Sequence, residues 1–198
     1  MAEYAEADTI REKTAGVNPK LIVVAAPSGS GKTSIAHEIL RRHKDIEFSI
    51  SATTRPRRGN EVDGKDYYFI SRDEFERGIK GQKFIEHENI YGDYYGTPKS
   101  EIQRVVDAGK SILFDVDVNG AISIKKQYPE AILIFIKPPS VEVLYSRLVN
   151  RKTDSPESLK KRLERVPLEL LKENEFDYRI VNDDLERAVA EVERIIFA

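Results

Sequence analysis

The chain has 198 residues, 32 of them Lys or Arg against 34 Asp or Glu, and a formal net charge of −2. It is long enough for one domain with a buried core, and it lacks the bulk positive charge that draws proteins to nucleic acid. It has no cysteine, which excludes disulfide frameworks and thiolate metal sites and suits a reducing, cytoplasmic setting; nor does any apolar run approach the ~20 residues that cross a bilayer.

Residues 1–18 are polar, with several acids and no apolar h-region, and read as an N-terminal extension rather than a signal peptide. The run "LIVVAA" that ends at Ala26 is continuously apolar, as expected of a strand buried on both faces of a parallel sheet. Small, turn-prone residues fill 27–31. Ile35, Ala36, Ile39 and Leu40 then recur at helical spacing.

The middle of the chain has a different rhythm. Phe48 and Ile50 alternate with polar residues, and "VDGK" (62–65) predicts an Asp-Gly hairpin turn before "DYYFI". Ser71 and Glu74 have capping-box spacing for a short helix ending near Gly78 or Gly81. "FIEHENIYGDYYG" (84–96) reads as strand and turn, so the whole stretch looks like a mixed β lobe inserted into an α/β frame.

Thr97 with Pro98 opens a helix carrying Ile102, Val105 and Val106, which Gly109 stops. "SILFDVDV" (111–118), "AILIFIK" (131–137) and "YRIVN" (178–182) are further buried strands, with helices near 119–127 and 140–150 between them. Another helix starts at Ser155, with Leu159, Leu163, Val166 and Leu170 on one face and a kink expected at Pro167. Leu185, Ala188, Val189, Val192, Ile195 and Ile196 stripe the last helix. The implied fold class is α/β: a parallel sheet with helices on both faces.

Four constellations carry chemistry. The stretch "APSGSGKT", Ala26 to Thr33, departs from the phosphate-loop pattern G-x-x-x-x-G-K-[ST] only in its first residue. Gly29 and Gly31 free the backbone to turn its N–H groups inward at a helix N-terminus, Lys32 reaches phosphate oxygens, and Thr33 is placed for Mg²⁺; Ser28 and Ser30 add hydroxyls. Ala26 is tolerable there if its φ is negative. Arg55, Arg57 and Arg58 cluster in "SISATTRPRRGNEVDGKDYYF" (49–69), where guanidinium forks suit a second phosphate. In "FDVD", alternation puts Asp115 and Asp117 on one face of a strand near its C-terminal end, where a carboxylate holds Mg²⁺ through water. Arg147 and Arg151 precede the break at "KTDSP", and Arg162 and Arg165 follow it, as on a helical lid over transferring phosphates.

These segments resemble guanylate kinase, most specifically in "SATTRPRRGNEVDGKDYYF" and then in "FIEHENIYGDYYGTP", "ILFDVDVNGA" and "IVNDDL". The resemblance runs from about residue 20 to 197. It implies a phosphate-loop core (19–52, 98–141 and 171–197), a lobe at 53–97 that binds GMP and a lid at 142–170, within a domain spanning 19–197. It implies phosphoryl transfer from Mg-ATP to GMP, and to dGMP. Ser51, Arg55, Arg58, Tyr67 and Tyr95 match positions at the GMP phosphate, and Glu86, Thr97 and Asp117 match those that read guanine. Ala26, Pro27, Ser28, Gly29, Ser30, Gly31, Lys32, Thr33, Ser34, Arg147, Arg151 and Asn182 match the ATP side, with Thr33 and Asp115 at the metal. Lys32, Arg55, Arg58, Arg151 and Arg162 are the implied catalytic cations. Lys152 stands where glycine is common in the family.

Rival readings are weaker. A scaffold-type module without activity tends to lose the phosphate loop, which is intact here. A ribose bisphosphate kinase has no need of a guanine-reading trio, and no N-K-x-D-like motif supports a GTP-binding switch.

Overall fold

The computed structural model describes residues 19–90, 92–150 and 156–198. Its centre is β1 (Leu21–Ala25), paired in parallel with β7 (Ser111–Asp115) on one side and β8 (Ile132–Lys137) on the other. β2 (Ile46–Phe48) flanks β7 and β9 (Tyr178–Val181) flanks β8, also in parallel, giving the order β2-β7-β1-β8-β9.

The period-2 geometry of a strand explains why β1 has no polar residue. Ile22 and Val24 face one layer, with Ile35, Ala36 and Ile39 of α1 (Lys32–Arg42) and Ala188, Val189, Val192 and Ile196 of α7 (Leu185–Ile196). Leu21, Val23 and Ala25 face the other layer, with Ile102, Val105 and Val106 of α3 (Lys99–Asp107) and Val118, Ala121 and Ile124 of α4 (Val118–Gln127). The chain leaves β1 towards β7 and β2, and later crosses to β8. The reversal of strand order therefore opens a crevice at the C-terminal end of β1, where the phosphate-loop sequence begins.

The second sheet has the order β4 (Tyr68–Phe69), β3 (Ala52–Thr53), β6 (Asp93–Pro98), β5 (Phe84–Ile90). β5 and β6 form an antiparallel pair that sets Glu86 opposite Thr97. α2 (Arg72–Lys80) covers it through Phe75, which stacks on Phe84 and Tyr94 at centroid distances of 4.3 and 5.1 Å. Ser71 caps α2, accepting from Glu74 N at 3.2 Å, and Gly81 ends it, as the spacing predicts.

Three local expectations change. β3 and β4 are parallel, so the Asp63–Gly64 turn is no hairpin. It lies inside a looped connection pinned by carboxylates, with Val62 N donating to Asp66 and Phe69 N to Asp63. Thr97 belongs to β6 rather than to the helix start, and α3 begins one residue after Pro98. β7 ends at Asp115, so Asp117 is not on the strand but is the N-cap of α4, accepting from Gly120 N at 2.7 Å.

α5 (Val141–Asn150) and α6 (Pro156–Leu170) form a separate helical pair. Leu144, Leu148 and Val166 are its buried contacts, with Leu159, Leu163 and Leu170 packed against them. α6 continues through Pro167 to Leu170; the proline removes one i→i−4 bond, to the carbonyl of Leu163, without ending the helix.

Glu101 of α3 joins the two sheets. It is 2% exposed and accepts from Ile50 N (2.8 Å), Tyr68 OH (2.9 Å) and Arg104 (3.0 and 3.2 Å). Glu101→Ala is expected to cost about 3 kcal/mol, because it strands a half-buried N–H and a hydroxyl as well as unpairing Arg104. Urea denaturation followed by circular dichroism checks this; a cost under about 1 kcal/mol would mean that water replaces the carboxylate.

Candidate active site

A cavity of about 800 Å³ opens at the C-terminal end of β1 and runs from the phosphate-loop residues Ala26–Thr33 to Glu86, Glu88 and Asp117. Its two ends differ in chemistry.

At the first end, Gly29 and Gly31 have φ of +93° and +87°, in the left-handed region that favours glycine. Space demands glycine too: a Cβ on Gly29 would lie 2.9 Å from Leu148 Cγ, and one on Gly31 would collide with the Asn182 amide. Gly31 caps α1 without any side-chain acceptor, so the helix N-terminus turns bare N–H groups toward the cavity. Ala26 does not have positive φ; it is 6% exposed, and its methyl group packs with Ile35 and Ala36. The alanine is therefore part of the core rather than a defect in the loop.

Lys32 Nζ donates to Val116 O at 2.7 Å and is ion-paired with Asp115, while Thr33 Oγ1 donates to Asp115 Oδ2 at 3.3 Å. Thr33 and Asp115 thus present hard oxygens side by side. That donor set fits Mg²⁺, which keeps several waters and takes one or two protein oxygens plus phosphate. Among the described residues no group of three or more His, Cys, Asp or Glu forms a self-sufficient metal cage.

Asn182 is 6% exposed; its Nδ2 donates to Ser30 O at 2.8 Å, and its own carbonyl accepts from Arg147 Nη2 at 3.1 Å. Both residues sit behind the loop, bracing it from the β9 side. Ser34 is exposed in the first turn of α1.

Along the middle of the cavity lie Ser51, Tyr67 and Tyr95, the two rings edge-on at 6.1 Å. Burial raises the Tyr67 hydroxyl's pKa above its ordinary value. Arg55 is 6% exposed, with its guanidinium carbon 5.1 Å from the Tyr67 ring centre. Its fork is held bidentately by Glu61 at 2.6 and 2.8 Å, and those bonds hold Glu61 at about 2. Glu61 also accepts from Arg58 N at 2.8 Å, and the Arg58 residue is exposed at the loop edge. This carboxylate clamp escaped the sequence reading, because a pairing six residues apart in an irregular loop has no periodicity to reveal it.

At the far end, burial pushes the Glu86 carboxyl up to about 7, against the pull of its bond from Thr97. Thr97 Oγ1 donates to Glu86 Oε1 at 2.7 Å and is fully buried behind it. The hydroxyl therefore orients the Glu86 carboxylate. Asp117 Oδ1 takes the Gly120 N–H; a Cβ on Gly120 would fall about 3 Å from both acids, so glycine lets them converge.

The α5–α6 pair reaches both ends through α6. Arg162 Nη1 lies 3.5 Å from Ser28 Oγ, and Arg165 bonds Asp117 and Glu88. Arg151, expected to contact ATP, and Lys152 fall outside the described residues. Glu88 and Glu169 were not anticipated: a single carboxylate on a strand or helix face carries no signal until another element meets it.

The family model for guanylate kinase matches residues 18–198. Guanylate kinase from Symbiobacterium thermophilum is 47% identical over 178 residues, covering 90% of this chain and 84% of that one. Guanylate kinase from Chlorobaculum tepidum is 48% identical over 171 residues, 86% of this chain and 88% of that one. The crystal structure of guanylate kinase from Anaplasma phagocytophilum superposes with a TM-score of 0.74 at 32% identity, covering 91% of this chain and 86% of that one. A phosphate loop with an adjoining acid-lined pocket, and a match to the family along nearly the whole described chain, agree: the chain belongs to the guanylate kinase family and transfers a phosphoryl group from ATP to GMP.

Proposed function

We propose that this transfer runs in line, with ATP on Ala26–Ser34 and GMP between Ser51 and Asp117, inside one water-excluding cavity. The observation that supports it is the continuity of that cavity from the phosphate loop to the acid-lined end. Ser51, Arg55, Arg58, Tyr67 and Tyr95 receive the GMP phosphate. Arg55 is already oriented by Glu61, whose bidentate grip is the one a phosphate takes. Glu86 and Asp117 accept from guanine N1–H and the 2-amino group, with Thr97 fixing Glu86. Adenine offers no donors there and would leave buried acceptors unpaired.

Arg147 and Asn182 hold the loop that cradles the ATP phosphates. Thr33 and Asp115 would hold Mg²⁺, which when bound supplies charge neutralisation at the ATP phosphates. Lys32, Arg162 and Arg151 add cations around the transferred group as the lid at 142–170 closes on the core, with 53–97 as the GMP lobe. No acid–base residue or phosphoenzyme is required, because positioning and electrostatics carry the reaction. dGMP is a second acceptor, since no residue in this assignment contacts the ribose 2′ position. The consumption of ATP, an intracellular metabolite, supports a cytoplasmic setting.

ADP release measured with GMP, dGMP, AMP, CMP and UMP tests the assignment. GMP is expected to exceed AMP in kcat/KM by about 10²-fold or more, and chelation of divalent cations should stop turnover until Mg²⁺ is restored. Equal rates with AMP and GMP would sink the base-reading roles.

A further inference from the structure

The lid helix does more than approach phosphates. Arg162 and Arg165 are three residues apart on α6 and so lie on neighbouring positions of one face. Arg162 turns toward Ser28 of the phosphate loop, whereas Arg165 turns into the opposite, acid-lined end. There Arg165 Nη2 donates to Asp117 Oδ2 at 3.0 Å and to Glu88 at 3.2 and 3.4 Å, and its Nε lies 3.4 Å from Glu169 Oε1. One side chain thus ties together α6, the N-cap of α4 and strand β5.

Its effect on Asp117 is geometric. The Gly120 N–H fixes one oxygen of that carboxylate, and Arg165 fixes the other. A carboxylate held at both oxygens keeps one rotamer and still has lone pairs free to accept from a ligand. Without the guanidinium, Asp117 would face Glu86 and Glu88 without the cation that pairs with it, and repulsion would favour turning it away. Glu169 braces Arg165 from one turn further along α6.

We propose that Arg165 is a specificity-determining positioning residue: carried by the lid helix, it holds Asp117 in the orientation that accepts from guanine's 2-amino edge. Recognition of the base is then completed only when α6 lies against the pocket, which couples base identity to lid closure. The inference rests on the assignment of Asp117 as a base acceptor.

Inosine monophosphate, which lacks only the 2-amino group, is the probe. The ratio of kcat/KM for GMP to that for inosine monophosphate should be measured for the unmodified protein, Arg165→Met, Arg165→Lys and Asp117→Asn, together with the KM for ATP. Arg165→Met is expected to lower the ratio by about tenfold or more while the KM for ATP stays within about twofold. Arg165→Lys, which keeps a cation but not the fork, should recover part of the ratio. The double variant Arg165→Met/Asp117→Asn should lose no more than Asp117→Asn alone.

An unchanged ratio in Arg165→Met, with a lost ratio in Asp117→Asn, overturns the role of Arg165 but leaves the pocket assignment standing. An unchanged ratio in Asp117→Asn removes the assignment and the inference with it. A parallel rise in the KM for ATP and fall in kcat for both nucleotides would mark Arg165 as a structural part of the lid, and would also overturn it. If Arg165→Met fails to fold, an unchanged ratio in Arg165→Lys is the overturning result.

Discussion

Lys32→Ala is expected to lower kcat by about 10³-fold while leaving the protein folded. Lys32 opens α1 directly behind the two left-handed glycines, and its ammonium reaches across to the end of β7, bonding Val116 O at 2.7 Å and pairing with Asp115. In the proposed assignment it is the cation beside the transferred group, where charge builds up in the transition state. In a transfer that relies on electrostatics, losing a cation at that point is costly even with the other cations in place. The stability cost is separate and smaller. Asp115 keeps its bond from Thr33 but loses an ion-pair partner, for about 1–2 kcal/mol. For a domain of this size that lowers Tm by roughly 2–8 °C. Single-turnover ADP formation and a thermal melt on the same sample separate the two effects, and an alanine variant with unreduced kcat would remove Lys32 from the mechanism.

Glu86→Gln is expected to raise stability while lowering kcat/KM for GMP by about 10²-fold or more. Burial pushes the Glu86 carboxyl from 4.5 to about 7 in the folded chain. Because the folded value lies above the unfolded one, the folded state binds the proton more tightly. Ionising Glu86 therefore costs nothing below about pH 4.5, and the cost grows to its full size above about pH 7. Solvent reaches part of the side chain, so the gain from the neutral amide at pH 8 is about 1–2 kcal/mol rather than the full shift. The same titration governs binding, since only the carboxylate accepts on both oxygens. In the unmodified protein kcat/KM for GMP should fall as pH drops below about 7, and Glu86→Gln should flatten that limb. A pH profile unchanged by the substitution would mean that another group controls GMP capture.

Much of this was legible along the chain. The apolar run through Ala26 specified a doubly buried strand because a strand covered by helices on both faces has no position for a polar residue. The helical stripes of α1 and α7 and the glycine pattern of the loop were equally plain, because periodicity and positive φ are local properties. Local reading failed where a partner distant in sequence set the outcome. The Asp-Gly turn at 63–64 suggested a hairpin, but pairing of β3 with both β4 and β6 decided the strand direction. Asp117 alternated correctly with Asp115 for one strand face, yet the entry into α4 converted it to a cap.

The site divides in the same way. The sequence by itself determined the phosphate loop, since its chemistry resides in eight consecutive residues whose backbone geometry glycine permits. That Glu88 and Glu169 join Glu86 and Asp117 at the acid-lined end, and that Arg165 answers them, only the tertiary structure decided. Glu86 and Glu88 come from β5, Asp117 from the N-cap of α4, and Arg165 and Glu169 from α6. Ion pairs act through space and fall off within a few ångströms, so their partners have no characteristic spacing along the chain.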